Sequence, residues 1–572
     1  MKRQVLCSVV LCLLAVAGIS AQGPALLNGI RDTAACRKWV DRQMEHMTLK
    51  QKVGQLFIYT LQPVVTQYNK NVLRKAVEDY AVGGLLFTGG KARKQVQLTN
   101  YAQAHASVPL MITFDGEWGL GMRLKNTPSF PYNRVLGCIQ NDSLLYAYGK
   151  EVARQCHTVG VQVNFAPVAD VDNNPLNPVI NFRSFGSDPK RVADKVVSYT
   201  RGLEDGGVLA VCKHFPGHGD TEIDSHKALP ELNFDRSRLD SIELYPFRKA
   251  IEADIGGVMV GHLHAPVLGE EPASISQQVI MHTLIEELRF QGLVVTDALE
   301  MKGIAGHDDV CALALMAGND MLLAPRNLKK EIDGVMTALK KGTLSKEEID
   351  RKCRKVLTFK YALGLSDWHD VAEEGIEEKL QTPELSELQQ ELSKAAVTVL
   401  KDSSALLPLD LSVSGTVLLS VSSSLSEAYP FYNQLHQGFP VSWVHADADS
   451  LDVIAARLRP AQRILVALHS QEVEPYASLL ENLAADKPLA LVCFEDMKVL
   501  EKIPVVVRHA STIVLAHSDE AYLQREVANL FLGSACADGR LSIPLAGMFK
   551  AGDGITIDPD APRKYCPADL GM

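Results

Sequence analysis

Residues able to do chemistry crowd into one stretch of this chain, 213–226, which reads K-H-F-P-G-H-G-D-T-E-I-D-S-H. Pro216, Gly217 and Gly219 are incompatible with a helix, so Lys213, His214, His218 and His226 belong to a strand end and a loop. Three histidines on irregular backbone make a weak metal set. Asp224 and His226 stand two apart, a spacing that in an extended loop turns both side chains to the same side. A carboxylate beside an imidazole fixes its tautomer and raises its basicity, which suits His226 to proton transfer near neutral pH. The plainer alternative is a surface Asp-x-His pair in a mobile loop.

Further polar residues recur at the ends of apolar runs. Asp115 ends one, Asp170 follows another, Lys213-His214 end a third, His262 and His264 end a fourth, and Asp297 ends a fifth. The runs themselves, 84–87, 110–114, 161–166, 208–212, 257–260 and 293–296, alternate with helix-like pieces at 142–159, 189–205, 244–253 and 277–288. Strand then helix, repeated, predicts a parallel sheet with crossover helices. No G-x-G-x-x-G or G-x-x-x-x-G-K-[ST] follows a strand, which removes the main phosphate-cradle readings. In a (β/α)8 barrel the site gathers at the carboxyl ends of the strands, where these ionisable residues fall. The expected fold is therefore α/β: a (β/α)8 TIM-type barrel over 22–365, a linker over 366–382 and a smaller α/β domain over 383–572. Strands of that second domain are expected at 396–400, 416–421, 464–468, 489–493 and 512–516, with no catalytic constellation at their ends.

Composition agrees with a soluble globular protein rather than a disordered, collagenous or disulfide-scaffold chain. With 572 residues, 47% of them hydrophobic, it is long enough for at least two cores. Its 58 Lys+Arg against 68 Asp+Glu give a net charge of -10, and no basic stripe points to nucleic acid as a partner. Lys2-Arg3, the apolar stretch 5–17 and the small residues near Ala21 read as a secretory signal over 1–21, so a periplasmic or secreted protein is expected. No later window offers a membrane span. The cysteines beyond the signal are Cys36, Cys138, Cys156, Cys212, Cys311, Cys353, Cys493, Cys536 and Cys566, an odd set without a C-x-x-C pair. Most are expected to be buried small hydrophobes.

The stretch 213–226 resembles the K-H-[FI]-P-G-H-G-x-[ST]-x-x-D-S-H motif of the β-N-acetylhexosaminidases in glycoside hydrolase family 3. Similar blocks run in family order through 47–56, 164–171, 183–189, 258–262 and 296–299, covering the barrel, and 531–541 resembles the family's second domain. The D-S-H ending belongs to the N-acetylhexosaminidase branch. The resemblance implies that Asp297 is a nucleophile forming a covalent glycosyl-enzyme with net retention, and that His226 is the acid/base with Asp224 as its partner. It further implies Asp115 and Arg123 as substrate-binding residues, with Arg183, Lys213 and His214 as donors to sugar hydroxyls. Taken alone, Asp297 could cap a helix, Arg183 could be a buried ion-pair partner and Lys213 a rim charge, while His262 is expected to pack or orient neighbours. This chain departs from the commoner D-x-E-G-G-R-V-x-R pattern, with Trp118 in place of a glycine and Leu120 in place of an arginine.

The activity implied is exo-release of terminal β-linked N-acetylglucosamine from glycans or cell-wall fragments. No metal or organic cofactor is implied, the partner is a carbohydrate, and oligomeric state stays open. An imidazole acid/base repels phosphate less than a carboxylate does, which leaves phosphorolysis open as a side reaction. Alternatives are a family 3 β-glucosidase or β-xylosidase, a metal-dependent hydrolase built on His262, His264, Lys213 and Asp297, and a sugar-binding envelope protein without turnover.

Overall fold

The computed structural model describes residues 23–559 apart from 226, 411 and 447–449. The expected signal segment, His226 and Cys566 lie outside the described residues.

Eight parallel strands make the first sheet: β1 (Phe57–Leu61), β2 (Gly84–Phe87), β3 (Met111–Phe114), β4 (Val163–Asn164), β5 (Leu209–Phe215), β6 (Gly257–Val260), β7 (Leu293–Thr296) and β8 (Leu322–Leu323). Their order is β8-β1-β2-β3-β4-β5-β6-β7. The remaining seam is drawn together by a bridge between Val295 and Met321 and by Leu323 N donating to Thr296 Oγ1 at 3.0 Å, so the sheet closes into a barrel. Helices cover its outside and side chains fill its inside, which is why most strands read as unbroken apolar runs instead of alternating ones. β1 and β8 fall outside the predicted runs. β1 ends in three half-buried residues, Tyr59, Thr60 and Leu61, and β8 is too short to register as a run.

The crossover helices carry their own start signals. Asp188 accepts from Lys190 N (2.8 Å) and Arg191 N (3.4 Å) at the head of Pro189–Asp205, with Pro189 in the first turn where its missing N–H costs nothing. That helix packs on Asp142–Thr158 through the fully buried, stacked rings of Tyr148 and Tyr199, 4.5 Å apart. The piece expected over 277–288 is helical over Gln278–Glu287, wound as a π-helix.

After the barrel, the 3-10 turn Leu365–Asp367 and the short α-helix Ile376–Leu380 lead to the helix Pro383–Ala396. The second sheet comprises β9 (Thr398–Asp402), β10 (Thr416–Val421), β11 (Val441–His445), β12 (Arg463–Leu468), β13 (Leu489–Cys493) and β14 (Thr512–Leu515), in the order β9-β14-β13-β12-β10-β11. Only β9 runs antiparallel to its neighbour. β11, an edge strand with Ser442 exposed, lacks the apolar continuity of the others and was not among the expected strands. The α/β reading, a barrel followed by a smaller α/β domain, is the observed fold.

The two domains share a contact surface. Val417, Leu419, Val466 and Leu491 on one face of the second sheet join the same apolar core as the barrel. Gly186, at φ +146, passes so close to the second domain that a Cβ would lie 2.3 Å from Ser542 O. Arg134, 3% exposed, links Asp172 of the barrel (3.5 Å) with Asp496 of the second domain (3.3 Å). Among the described residues, Cys36, Cys138, Cys156, Cys212, Cys311, Cys353 and Cys493 are buried free thiols and Cys536 is exposed. No described helix is long and apolar enough to cross a membrane.

Candidate active site

Four strands deliver charged side chains to one cavity of about 410 Å³ at the carboxyl ends of the barrel. Asp115 and Glu117 follow β3, Arg183 ends the turn Asn181–Arg183 in the loop after β4, Lys213 and His214 lie within β5, and Asp297 follows β7. Lys213 Nζ sits between two carboxylates, 3.0 Å from Asp115 Oδ1 and 2.9 Å from Glu117 Oε1. Arg183 grips Glu117 with both ends of its fork, Nη2 to Oε1 at 2.7 Å and Nε to Oε2 at 3.0 Å. Arg123 Nη2 donates to Asp115 Oδ2 at 2.9 Å.

The energetics of this network turn on burial. Glu117 is fully buried and Lys213 3% exposed, so each charge is tolerated because opposite charges, Arg183 and Lys213 for Glu117, Asp115 and Glu117 for Lys213, are in contact with it. Burial pushes the Glu117 carboxyl up, but the Arg183 and Lys213 charges more than offset it and hold the group well below the usual carboxylate range. Asp115 is likewise raised by burial and brought below its usual value by Lys213 and Arg123. Lys213, lowered by burial, ends above its usual value because Asp115 and Glu117 favour its charge. Asp115 keeps part of its surface toward the cavity, where an ionised carboxylate can accept from hydroxyl groups.

Asp297 is fixed by its own backbone. Its N–H donates to Val260 O at 2.9 Å, and its Oδ1 accepts from Ala298 N at 2.7 Å. No helix starts there, so it is not a cap: the next turn is Lys302–Ile304. Burial raises the Asp297 carboxyl, but His214, His262, the Ala298 N–H and Lys213 bring it below its usual value, leaving an ionised carboxylate in the cavity. His262 is fully buried and lines no part of that cavity. Its Nε2 donates to Ala298 O at 3.0 Å, and its Nδ1 pairs with the Ser274 hydroxyl at 2.8 Å, so it orients the segment carrying Asp297.

The loop after β5 is pinned from below by Asp170, which is fully buried. Asp170 Oδ2 accepts from His214 Nδ1 at 2.7 Å, and Oδ1 accepts from the backbone N–H groups of His214 (3.1 Å) and His218 (2.7 Å). Burial, then the neighbouring His214, lowers His218 to about 4, so its ring is neutral at neutral pH. That ring bonds to Thr221 Oγ1 (2.9 Å) and Ser225 Oγ (3.0 Å), tying both ends of the loop together. Asn177 Nδ2 donates to His218 O at 2.8 Å and Gly219 O at 3.1 Å. A Cβ at Gly219 would stand 1.8 Å from Val171 O, so only glycine fits. Ser225 lines the cavity, and Asp224 precedes it with Lys227 N donating to its carbonyl at 2.8 Å. The placement of His226 is outside the described residues.

Residues 48–359 match the Glycosyl hydrolase family 3 N terminal domain, more than half of the chain. The chain belongs to glycosyl hydrolase family 3. Among its family 3 relatives, Beta-hexosaminidase A of Pseudoalteromonas piscicida is 32% identical over 58% of this chain and 62% of its own length, so the chain spans less than two thirds of that protein. Beta-hexosaminidase LpqI of Mycobacterium tuberculosis is 34% identical over 50% of this chain and 77% of its own. A solved glycoside hydrolase family 3 beta-N-acetylglucosaminidase from Paenibacillus sp. str. FPU-7 superposes with a TM-score of 0.70 at 29% identity, covering 87% of this chain and 99% of that one.

Of the site residues expected from the sequence, this family 3 barrel brings Asp115, Arg123, Arg183, Lys213, His214 and Asp297 to one cavity. Arg183 combines two of the readings weighed for it, since it is an ion-pair partner of Glu117 and also faces the cavity. Three residues outside the expected catalytic and substrate-binding set also shape the site. Glu117 is the hub of the Lys213–Arg183 network, Asp170 anchors the His214 loop, and His218 braces it. A signal for Glu117 existed: Asp115 and Asp297 are two carboxylates against three cations, Arg123, Arg183 and Lys213, in one cavity. As to the histidines offered for a metal, His262 has both ring nitrogens bonded, and no described group of three or more His, Cys, Asp or Glu side chains is arranged to hold an ion.

Proposed function

We propose that this chain is an exo-acting β-N-acetylhexosaminidase that removes a terminal β-linked N-acetylglucosamine with retention of configuration. The observation that carries the reading is the ionised Asp297 facing the same cavity as the Asp115–Lys213–Glu117–Arg183 network. In this reading the Asp297 carboxylate attacks C1 while His226, partnered by Asp224, donates its proton to the departing glycosidic oxygen. The resulting glycosyl ester is cleaved by water, whose proton returns to His226, so the side chains end as they began. Asp115 accepts from sugar hydroxyls, and Arg123 and His214 donate at the ring's edge. Lys213 and Arg183 hold the two carboxylates ionised and in place. The N-acetyl preference is supported by the D-S-H ending and by the names of the relatives, beta-hexosaminidase and beta-N-acetylglucosaminidase.

Hydrolysis of an aryl N-acetyl-β-glucosaminide and of the matching aryl β-glucoside tests the substrate class. The N-acetyl compound is expected to be cleaved faster, and faster cleavage of the glucoside would move the reading to a β-glucosidase. Proton NMR of the first-formed sugar tests the mechanism: the β-anomer is expected, and an α-anomer as first product removes the covalent step.

A further inference from the structure

Three aromatic side chains from separate loops meet in one cluster, two of them next in the chain to residues that line the catalytic cavity. The rings of Trp118 and Tyr132 stand edge to face at 5.0 Å, Tyr132 and Phe182 lie 4.5 Å apart, and Trp118 and Phe182 6.0 Å. Tyr132 is 48% exposed and Phe182 38%, so the cluster is wet on one side instead of closing a core. Its position follows from the chain: Trp118 directly follows Glu117 and Phe182 directly precedes Arg183, and both of those charged residues line the catalytic cavity. Trp118 occupies a place where the family's commoner pattern has glycine.

On its far side Tyr132 enters the wall of a second cavity, about 480 Å³, at the junction of the two domains. Gln389, Gln390 and Ser393 of the helix Pro383–Ala396 and His517, Ser518 and Glu520 beyond β14 form the opposite wall. Two cross-links shape that space: Gln389 Nε2 donates to Ser129 O at 2.7 Å across the domain junction, and Tyr522 OH to Ser393 Oγ at 2.8 Å. The lining mixes amides, hydroxyls and aromatic faces and contains neither lysine nor arginine. This is the chemistry that holds a neutral sugar, with C–H faces on rings and hydroxyls on amides, and with the Glu520 carboxylate in the wall and no lysine or arginine it disfavours a phosphate or carboxylate.

We infer that the Trp118–Tyr132–Phe182 cluster and the junction cavity form one track that binds the sugars on the reducing side of the scissile bond. The preferred ligand is thereby a neutral β-linked oligosaccharide longer than a disaccharide. This rests on the exo-glycosidase reading: when the terminal sugar fills the catalytic cavity, the rest of the glycan must leave it, and the neighbours of Glu117 and Arg183 in the sequence are aromatic rings whose cluster reaches a polar cavity through Tyr132.

The probes are an aryl N-acetyl-β-glucosaminide and β-1,4-linked N-acetylglucosamine oligomers of two to five units. For the wild type kcat/KM is expected to rise with length up to the tetrasaccharide. In a Tyr132→Ala, Phe182→Ala double variant that rise is expected to shrink about tenfold, the effect of losing aromatic contact faces, with the aryl glycoside, which fills a single reducing-side position, changed far less. Gln390→Ala, on the far wall, is expected to weaken only the longer oligomers. A wild type indifferent to chain length, or a double variant impaired equally on the aryl glycoside and the tetrasaccharide, overturns the track. A Gln390→Ala protein identical to wild type at every length overturns the part given to the junction cavity.

Failure of the glycosidase reading is distinguished by calorimetry on the Asp297→Asn protein, with the monosaccharide and the tetrasaccharide as ligands. Tighter tetrasaccharide binding that is lost in the Tyr132→Ala, Phe182→Ala background sustains the track even without turnover. Equal affinity for the two lengths refutes it.

Discussion

Both sheets of this protein consist largely of parallel strands whose carboxyl ends carry polar side chains, yet those ends do different things. At the barrel mouth the strands point toward a common axis, so Asp115, Lys213 and Asp297, from strands far apart in sequence, face one cavity. In the second domain the sheet is open and its strand ends stand in a row. There Ser422 pairs with His445 at 2.7 Å, and His469 with Asp519 at 2.5 Å while stacking on Phe494. Asp496 is spent on Arg134 across the domain junction. Equivalent residue types thus give separate local clusters on an open sheet and one coupled network on a closed one. Closure, more than composition, makes the charged site.

The sharpest way to break that comparison is to neutralise one carboxylate on each sheet. Asp297→Asn is expected to lower turnover of an aryl N-acetyl-β-glucosaminide by on the order of 10⁴-fold or more, as loss of a nucleophile does. Asp519→Asn, which removes a buried-histidine partner of the second domain, is expected to leave turnover unchanged. Comparable losses from the two would mean that the second domain takes part in the chemistry.

A smaller effect is expected from the hub of the network, read as stability. Glu117→Ala removes the carboxylate that Arg183 grips and one of the two that Lys213 contacts, leaving Asp115 on Lys213 and only longer-range help from Asp170 and Asp297. The expected cost is about 3–5 kcal/mol, seen as a lowered unfolding midpoint in urea. Asp496→Ala provides the contrast from the second domain, because that carboxylate is 45% exposed and solvent already screens its pair with Arg134. A Glu117→Ala protein as stable as Asp496→Ala would show that the barrel charges are not coupled as their distances require.

The sequence made the strand ends legible and left the couplings between them hidden, for a physical reason. Asp115, Lys213, His214 and Asp297 each terminate an apolar run, so local pattern alone puts them at a barrel rim. Glu117 sits two residues past Asp115 in the same loop, but its partners come from β5 and from the turn ending at Arg183, and nothing in a one-dimensional pattern reports which loops touch. Asp170 has the same history: it follows β4, and its worth lies in three hydrogen bonds to residues after position 213. β8 was lost because two residues carry no periodicity; its place is set by β1 on one side and the Val295–Met321 bridge on the other. Trp118 was visible as a departure from a family pattern, but its contacts with Tyr132 and Phe182 needed three loops to be folded.

The smallest effect tests how the barrel-mouth loop is held. His218 titrates at about 4 in the folded protein, because burial and then the facing His214 oppose its charge, while Asp170 and Asp297 only partly compensate. An unfolded histidine titrates near 6.5, so between pH 6.5 and 4 the unfolded chain takes up a proton that the folded one refuses. The contribution is therefore complete above pH 6.5 and is lost as the pH falls toward 4, on the order of 2 kcal/mol by pH 5. Carboxylates such as Asp115 and Glu117 act in a different window, since their lowered values keep them ionised until the pH drops below the ordinary carboxylate range. His218→Gln retains groups able to bond with Thr221 and Ser225 but cannot titrate. Its stability is expected to fall less than the wild type's between pH 7 and pH 5, measured by urea midpoints at each pH. Parallel curves for the two proteins would mean that the loop carrying Asp224 is braced by something other than a neutral imidazole.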